Sequence, residues 1–252
     1  GRFAGLTPED SIYLVMPDRF ANGDASNDET SAPGTTFNRA NPNFYHGGDL
    51  RGLRDHLAYI KDLGVTTIWL NPVYDNVDRV QQYQPYHGYH AVDYYAVENH
   101  FGSVADFRAL VDEAHSLGLK VVQDEVANHT SPDHPWVPSY PTPTWYNGTP
   151  ANHLVNPFDI SSIVAPDGDP TARRRTLEGW FVDLLPDLNQ NDPDLARYEI
   201  QNTLWWIETT GIDGIRQDTL PYVPRTFWNE WMTAIKTEYP RVTVVGATTR
   251  AG

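Results

Sequence analysis

Apolar residues along this chain fall at two spacings, one helical and one extended, and the alternation between them repeats. Apolar positions at helical spacing from Leu53 to Leu63 stop at Gly64, and VTTIWL (65–70) then reads as a buried strand. A second helix opens at Ser103, with Asp106 completing a capping box, and runs to about Leu117. Gly118 closes it and LKVVQD follows as a strand. Asp192-Pro193 pairs an N-cap with proline at the first helical position. That helix carries Leu204, Trp205 and Ile207 to Gly211, before a strand ending at Asp218. A fourth helix, about Thr226 to Glu238, leads through Pro240 to VTVVG (242–246). With IYLVM near the start, the pattern predicts an α/β fold whose apolar strands form a parallel sheet covered on both faces.

The interval from Gly118 to Gly211 is much longer than that from Gly64 to Gly118. The excess lies around 130–190, rich in Pro, Asn, Trp and Tyr and weak in periodicity. It reads as an inserted loop subdomain after the third strand. The expected division is 1–129 for strands 1–3, 130–190 for the insertion, and 191–252 for strands 4–5. Long loops after strands build the site at the C-terminal face of (β/α) barrels. Five strands do not close eight, so the expected architecture is a partial (β/α)8 TIM barrel, truncated after strand 5.

Composition narrows the partners. The net charge of −15 disfavours nucleic acid and anionic membranes, and fits a neutral ligand or a divalent cation. With no cysteine, disulfides and thiolate chemistry are excluded. This permits export, and a periplasmic or secreted location is expected over a cytoplasmic one. No apolar run approaches the ~18 residues that a membrane-spanning helix needs. No signal peptide is visible, and a first residue of Gly rather than Met reads as a missing N-terminus. The 8 Trp and 14 Tyr would line a core, but aromatic faces in a cleft are also what sugar rings stack on.

Polar residues collect where the strands end. Arg216 and Asp218 lie two apart, hence on one face of a strand. The guanidinium keeps the carboxylate ionised, and an ionised Asp there can attack an electrophilic carbon. A structural Arg–Asp pair has the same spacing. The third strand ends in DEVANH, with Asp124, Asn128 and His129, and YHGYHAVDYY supplies Tyr86, His87, Tyr89, His90 and Asp93. Each alone fits packing or hydrogen bonding; their recurrence at successive strand ends points to a site.

The segments DEVANH (124–129), GIDGIRQD (211–218) and GYHAVDYYAVENHFG (88–102) resemble the α-amylase family of glycoside hydrolases, family 13. MPDRFANGDASND (16–28) and HGGDLRGL (46–53) place the resemblance nearest the cyclomaltodextrinase, neopullulanase and maltogenic amylase branch. The resemblance implies that Asp218 is the nucleophile of a retaining mechanism and that Arg216 orients it. His129 would contact the central sugar, Tyr89 would stack on it, and His87 belongs to the same substrate-binding group. Asn128 would brace loops and, in some members, a calcium ion, while Asp124 would be structural. The implied substrates are α-1,4-glucans: starch, maltodextrin or cyclodextrin.

Retaining hydrolysis needs a second carboxyl about 5–5.5 Å from the nucleophile. The family places a Glu there, after VVG; this chain has Ala247, and neither Glu125 nor Glu238 is positioned to replace it. The third family carboxylate falls beyond the sequence. The chain is therefore expected to be weakly active or inactive as it stands. A non-catalytic carbohydrate-binding homologue is the alternative, and a frameshifted product in which ATTRAG follows an ordinary strand is a third. Open strand edges would favour a homodimer or aggregation.

A second cluster, Asn22, Asp24, Asn27, Asp28, Gly47 and Asp49, brings oxygen donors close together. An EF-hand fits it poorly, because Phe20 falls at a ligand position. The family resemblance implies a structural Ca²⁺ held by these six, Gly47 through its carbonyl. An Asx-rich surface turn is the plain alternative.

Overall fold

The computed structural model describes residues 1–77 and 83–247. The tail from Thr248, part of the ATTRAG segment, lies outside the described residues. Among the described residues seven strands form: β1 (Ile12–Val15), β2 (Thr67–Leu70), β3 (Tyr74–Asn76), β4 (Ala91–Val97), β5 (Lys120–Glu125), β6 (Gly214–Gln217) and β7 (Thr243–Gly246). Five of them make one parallel sheet in the order β1-β2-β5-β6-β7, the strands expected from the sequence in chain order. That succession, with helices between, matches the first part of a (β/α) barrel.

The remaining pair was not anticipated. β3 and β4 form an antiparallel ribbon with register shifts at Tyr74/Asp75 and Asp75/Asn76. β3 is only three residues long, and AVDYYAV mixes buried and exposed positions without strict alternation. Its formation rests on tertiary packing, because a ribbon this short is not stable alone.

Local chemistry explains the helix limits. Ser103 and Asp106 make the complete capping box of Val104–Ser116. Asp192 caps Pro193–Thr210 by accepting the amides of Asp194 and Leu195, and Gly211 ends that helix in the left-handed conformation at φ 79°. The helix expected over 53–63 is instead two: Leu50–Asp55, capped by Asp49, and Leu57–Asp62. They meet at His56, whose Nδ1 lies 2.7 Å from the Gly52 carbonyl and so occupies the acceptor that a continuing helix would use.

Register and the two-residue repeat sort the sheet into faces. Leu14, Trp69, Val122 with Asp124, Arg216 and Val245 share one face. Val15, Ile68, Leu70, Val121 and Ile215 lie on the other, buried beneath helices that contribute Phe107, Leu110, Trp206, Ile207, Phe227 and Trp231. Leu14 is 53% exposed and Val245 42%, so the first face stays open at its flanks. A smaller apolar cluster of Trp145, Tyr146, Leu188 and Leu195 ties the 130–190 segment to Pro193–Thr210. Within that segment the regular elements are Ile160–Val164 and Pro170–Glu178, joined by isolated bridges such as Val155 to Trp180.

Candidate active site

The open face converges on one guanidinium. Arg216, near the end of β6, directs Nη1 to Asp218 Oδ1 at 2.7 Å and to both oxygens of Asp124 at 2.9 Å. Tyr89 OH lies 3.3 Å from the same nitrogen and donates to Asp124 Oδ2 at 2.9 Å. Two Nη1 hydrogens therefore serve four oxygens, and the single positive charge is shared by two carboxylates. Burial disfavours the guanidinium's charge, but Asp124 and Asp218 more than compensate and raise its pKa. Arg216 Nε is buried without a partner.

Asp124 is completely buried. Burial pushes its carboxyl up, to about 7, with Arg216 pulling the other way. Asp218 follows β6 directly, and its amide donates to the Glu125 carbonyl at 2.8 Å. The next residue, Thr219, is left-handed at φ 46°, a conformation costly for a β-branched residue. It turns the chain away from the sheet immediately after the carboxylate.

The histidines expected at the site are neutral. Burial pushes His87 down to about 4, with His129 adding to the effect. His87 Nδ1 accepts the Tyr89 amide, so Nε2 carries the proton and is available as a donor. His87 also stacks on Tyr89, with ring centroids 5.6 Å apart. His129 is committed on both nitrogens: Nδ1 meets the Asn128 amide at 3.1 Å, and Nε2 donates to the Tyr89 carbonyl at 3.2 Å. Burial lowers its pKa, and Phe181 stacks against it. Asn128 Oδ1 is buried without a partner. Thus Arg216, Asp218, Asp124, Tyr89, His87, His129 and Asn128 form one continuous network.

Ala247 follows β7. Its amide donates to the Gln217 carbonyl at 3.0 Å, and Gln217 pairs with Gly246. Continuing the register by one residue sets Ala247 beside Asp218 on the neighbouring strand end, about 5 Å away. Glu125 points to the opposite side, where Thr203 donates to its Oε2 at 2.6 Å.

Two contacts were invisible in the sequence. Trp69 of β2 donates Nε1–H to Asp124 Oδ2 at 3.1 Å, and its ring lies 5.2 Å from the Arg216 guanidinium. Within TIWL it reads as core. The only structural hint is that it is half-buried between fully buried neighbours.

The oxygen cluster at 22–49 is also brought together. Asn22 Nδ2 donates to Asp28 Oδ1 at 2.7 Å, and a Cβ on Gly47 (φ 88°) would fall 2.7 Å from that oxygen. Asn27 Oδ1 is buried without a partner. Burial raises Asp28, and the Asp49 and Asp24 charges add to it. Asp49 accepts the amides of Gly23, Asp24 and Gly52, while Asp24 turns onto Ser26. Among the described residues, no three acidic or histidine side chains stand together in a metal-binding group. The oxygens gathered here are carboxylate, amide and carbonyl, the donor types a hard cation takes.

Comparison with known proteins shows the family. A family model described as the alpha amylase catalytic domain matches residues 14–249. The beta/alpha-amylase of Paenibacillus polymyxa is 36% identical over 90% of this chain and 18% of its own length. Neopullulanase 2 of Thermoactinomyces vulgaris is 31% identical over 93% of this chain and 38% of its own. Among solved structures, an Anoxybacillus alpha-amylase superposes with a TM-score of 0.78 at 37% identity, covering 94% of this chain and 46% of that one. The chain thus spans less than half the length of each.

Proposed function

The chain belongs to the alpha-amylase family, and from that membership we propose that it is an α-glucan-recognising domain with the nucleophile half of a retaining site assembled. Asp218 is the nucleophile. It attacks the anomeric carbon of an α-1,4-linked glucose, in starch, maltodextrin or cyclodextrin; the Asp218–C1 ester bond forms as the C1–O4 bond breaks, and O4 leaves with a proton taken from water. Arg216 orients the carboxylate through its 2.7 Å contact, Tyr89 and His87 form the wall against the sugar, and Asn128 and His129 brace that wall. The 130–190 segment acts as an inserted subdomain covering it.

The observation that carries this reading is the Arg216–Asp218 pair with Ala247 beside it. On this reading a methyl group takes the place of the family's general acid. Without general-acid help the glycosidic bond breaks roughly 10²–10⁴ times more slowly. Natural glucans are therefore bound and turned over slowly or not at all. The same observation favours a second reading, a purely carbohydrate-binding homologue in which Asp218 also is idle. Reducing-sugar release separates these from an ordinary hydrolase: the 252-residue chain should release it from maltodextrin at least ~10²-fold more slowly than a relative that keeps the Glu, while retaining binding by calorimetry. Release at the relative's rate, abolished by Asp218→Ala, would overturn the proposal.

Asn22, Asp24, Asn27, Asp28, Asp49 and the Gly47 carbonyl are proposed to hold a structural Ca²⁺. Its contribution is to neutralise the mutual repulsion of Asp24, Asp28 and Asp49 and to pin the 22–28 loop against 46–49. Self-association through the open sheet face completes the proposal.

A further inference from the structure

We propose that Trp69 is a positioning residue for Asp218, acting through Asp124 and Arg216; this rests on the reading of Asp218 as nucleophile. The path crosses three adjacent strands. Trp69 on β2 donates to Asp124 on β5, Asp124 takes both its oxygens to Arg216 on β6, and Arg216 holds Asp218 two residues further on. Asp124 and Arg216 are register partners, and Trp69 pairs with Val122, two residues before Asp124 on the same face. The indole also lies under the guanidinium at 5.2 Å, so one side chain touches both members of the ion pair.

The chemistry gives this arrangement a consequence. While Asp124 is ionised, Arg216 divides its charge between two carboxylates, and Asp218 keeps a lone pair free to attack. If Asp124 takes up a proton, the guanidinium belongs to Asp218 alone. It then clamps that carboxylate and lowers its nucleophilicity. The groups facing Asp124 set which state holds: Arg216, Asp218 and Tyr89 on the open face, Tyr74 nearby, and Glu125 behind the strand. Trp69 is the remaining donor. It carries no charge and does not titrate, so it favours ionised Asp124 without competing for Asp218.

The test combines NMR of the whole chain with labelling by an activated glycosyl fluoride, whose fluoride leaves without a proton donor. With [4-¹³C]Asp labelling and Asp124→Asn for assignment, Trp69→Phe should raise the Asp124 midpoint by about one pH unit. In the wild-type chain the Trp69 indole N–H resonance should move with that same midpoint, and become independent of pH in Asp124→Asn; this arm needs no Trp69 variant. Labelling of Asp218 at pH 6 should fall about five- to tenfold in Trp69→Phe and recover by pH 9. In the Asp124→Asn background, Trp69→Phe should slow labelling no further. An unchanged midpoint with a pH-independent indole resonance, or equal slowing at every pH and in both backgrounds, would overturn the proposal. Absence of labelling in the wild-type chain would instead refute the nucleophile reading, and the NMR arms would still decide the role of Trp69.

Discussion

At the residue scale, the molecule buries more carboxyl groups than it pairs. Neither Glu199 oxygen has a well-formed hydrogen bond, and Gln190, which lies close, directs its amide to the Ala127 carbonyl at 2.7 Å. Glu199 and Glu125 line one cavity of about 20 Å³, walled by Tyr74, Tyr94, Trp136 and Trp231. That is room for about one water. Burial raises Glu125 to about 7 and Glu199 well above the ordinary range. A raised folded value means that the native state keeps a proton the unfolded chain has released. Stability from these groups is therefore full below about pH 4, the unfolded value, and falls as pH rises through 7. Glu199→Gln mimics the protonated acid, so it should leave stability nearly unchanged at pH 5. At pH 8 it should raise stability by about 1–3 kcal/mol, measured by urea unfolding. An equal effect at both pH values would contradict this account. Asp218, Arg216 and Asp124 were legible in the sequence because charged residues at the ends of apolar strands stand out, whereas Tyr89 was picked out by the family resemblance. Trp69 was not, because an indole inside TIWL satisfies the core pattern whether or not its N–H has work to do.

At the element scale, what was legible follows from local chemistry. The five strands of the main sheet showed as apolar runs, and the helices closed by Gly118 and Gly211 carry their stop signals in sequence. The break at His56 did not show, since it depends on a ring nitrogen capturing one carbonyl. Nor did the β3–β4 ribbon, whose register shifts leave no clean period. Asp192 illustrates a cap with a wider reach. Besides the helix amides, its Oδ2 accepts the hydroxyl of Thr144 at 2.6 Å and that of Thr142. It therefore ties the 130–190 segment to Pro193–Thr210, the helix leading into β6 and the site. Asp192→Ala should cost about 2–4 kcal/mol in denaturant unfolding, more than Ser103→Ala, which loses a surface capping box worth about 1 kcal/mol. Equal costs would show that the tie adds nothing to the cap.

At the scale of the whole molecule, the proposed calcium site and the proposed self-association each carry a prediction. In the oxygen cluster at 22–49 the charges of Asp49 and Asp24 add to the raising of Asp28, so the proposed calcium should stabilise the fold. Millimolar Ca²⁺ is expected to raise the melting temperature by several degrees, and Asp28→Ala to abolish that shift. No shift at millimolar calcium would leave the cluster as an Asx-rich turn. The exposed flanks of the sheet, Ile12 and Leu14 on β1 and Val245 on β7, underlie the proposed self-association. Sedimentation should detect concentration-dependent self-association that Leu14→Lys weakens.

The central claim is that Asp218 is an assembled nucleophile facing a missing acid, and a donor that needs no acid probes it directly. Incubation with 5-fluoro-α-D-glucosyl fluoride, followed by intact mass and peptide mapping, should show one glycosyl adduct, on Asp218. The adduct should be absent from Asp218→Ala and should persist, because Ala247 offers no base to activate water. An unmodified chain, or an adduct on any other carboxylate, would contradict the account.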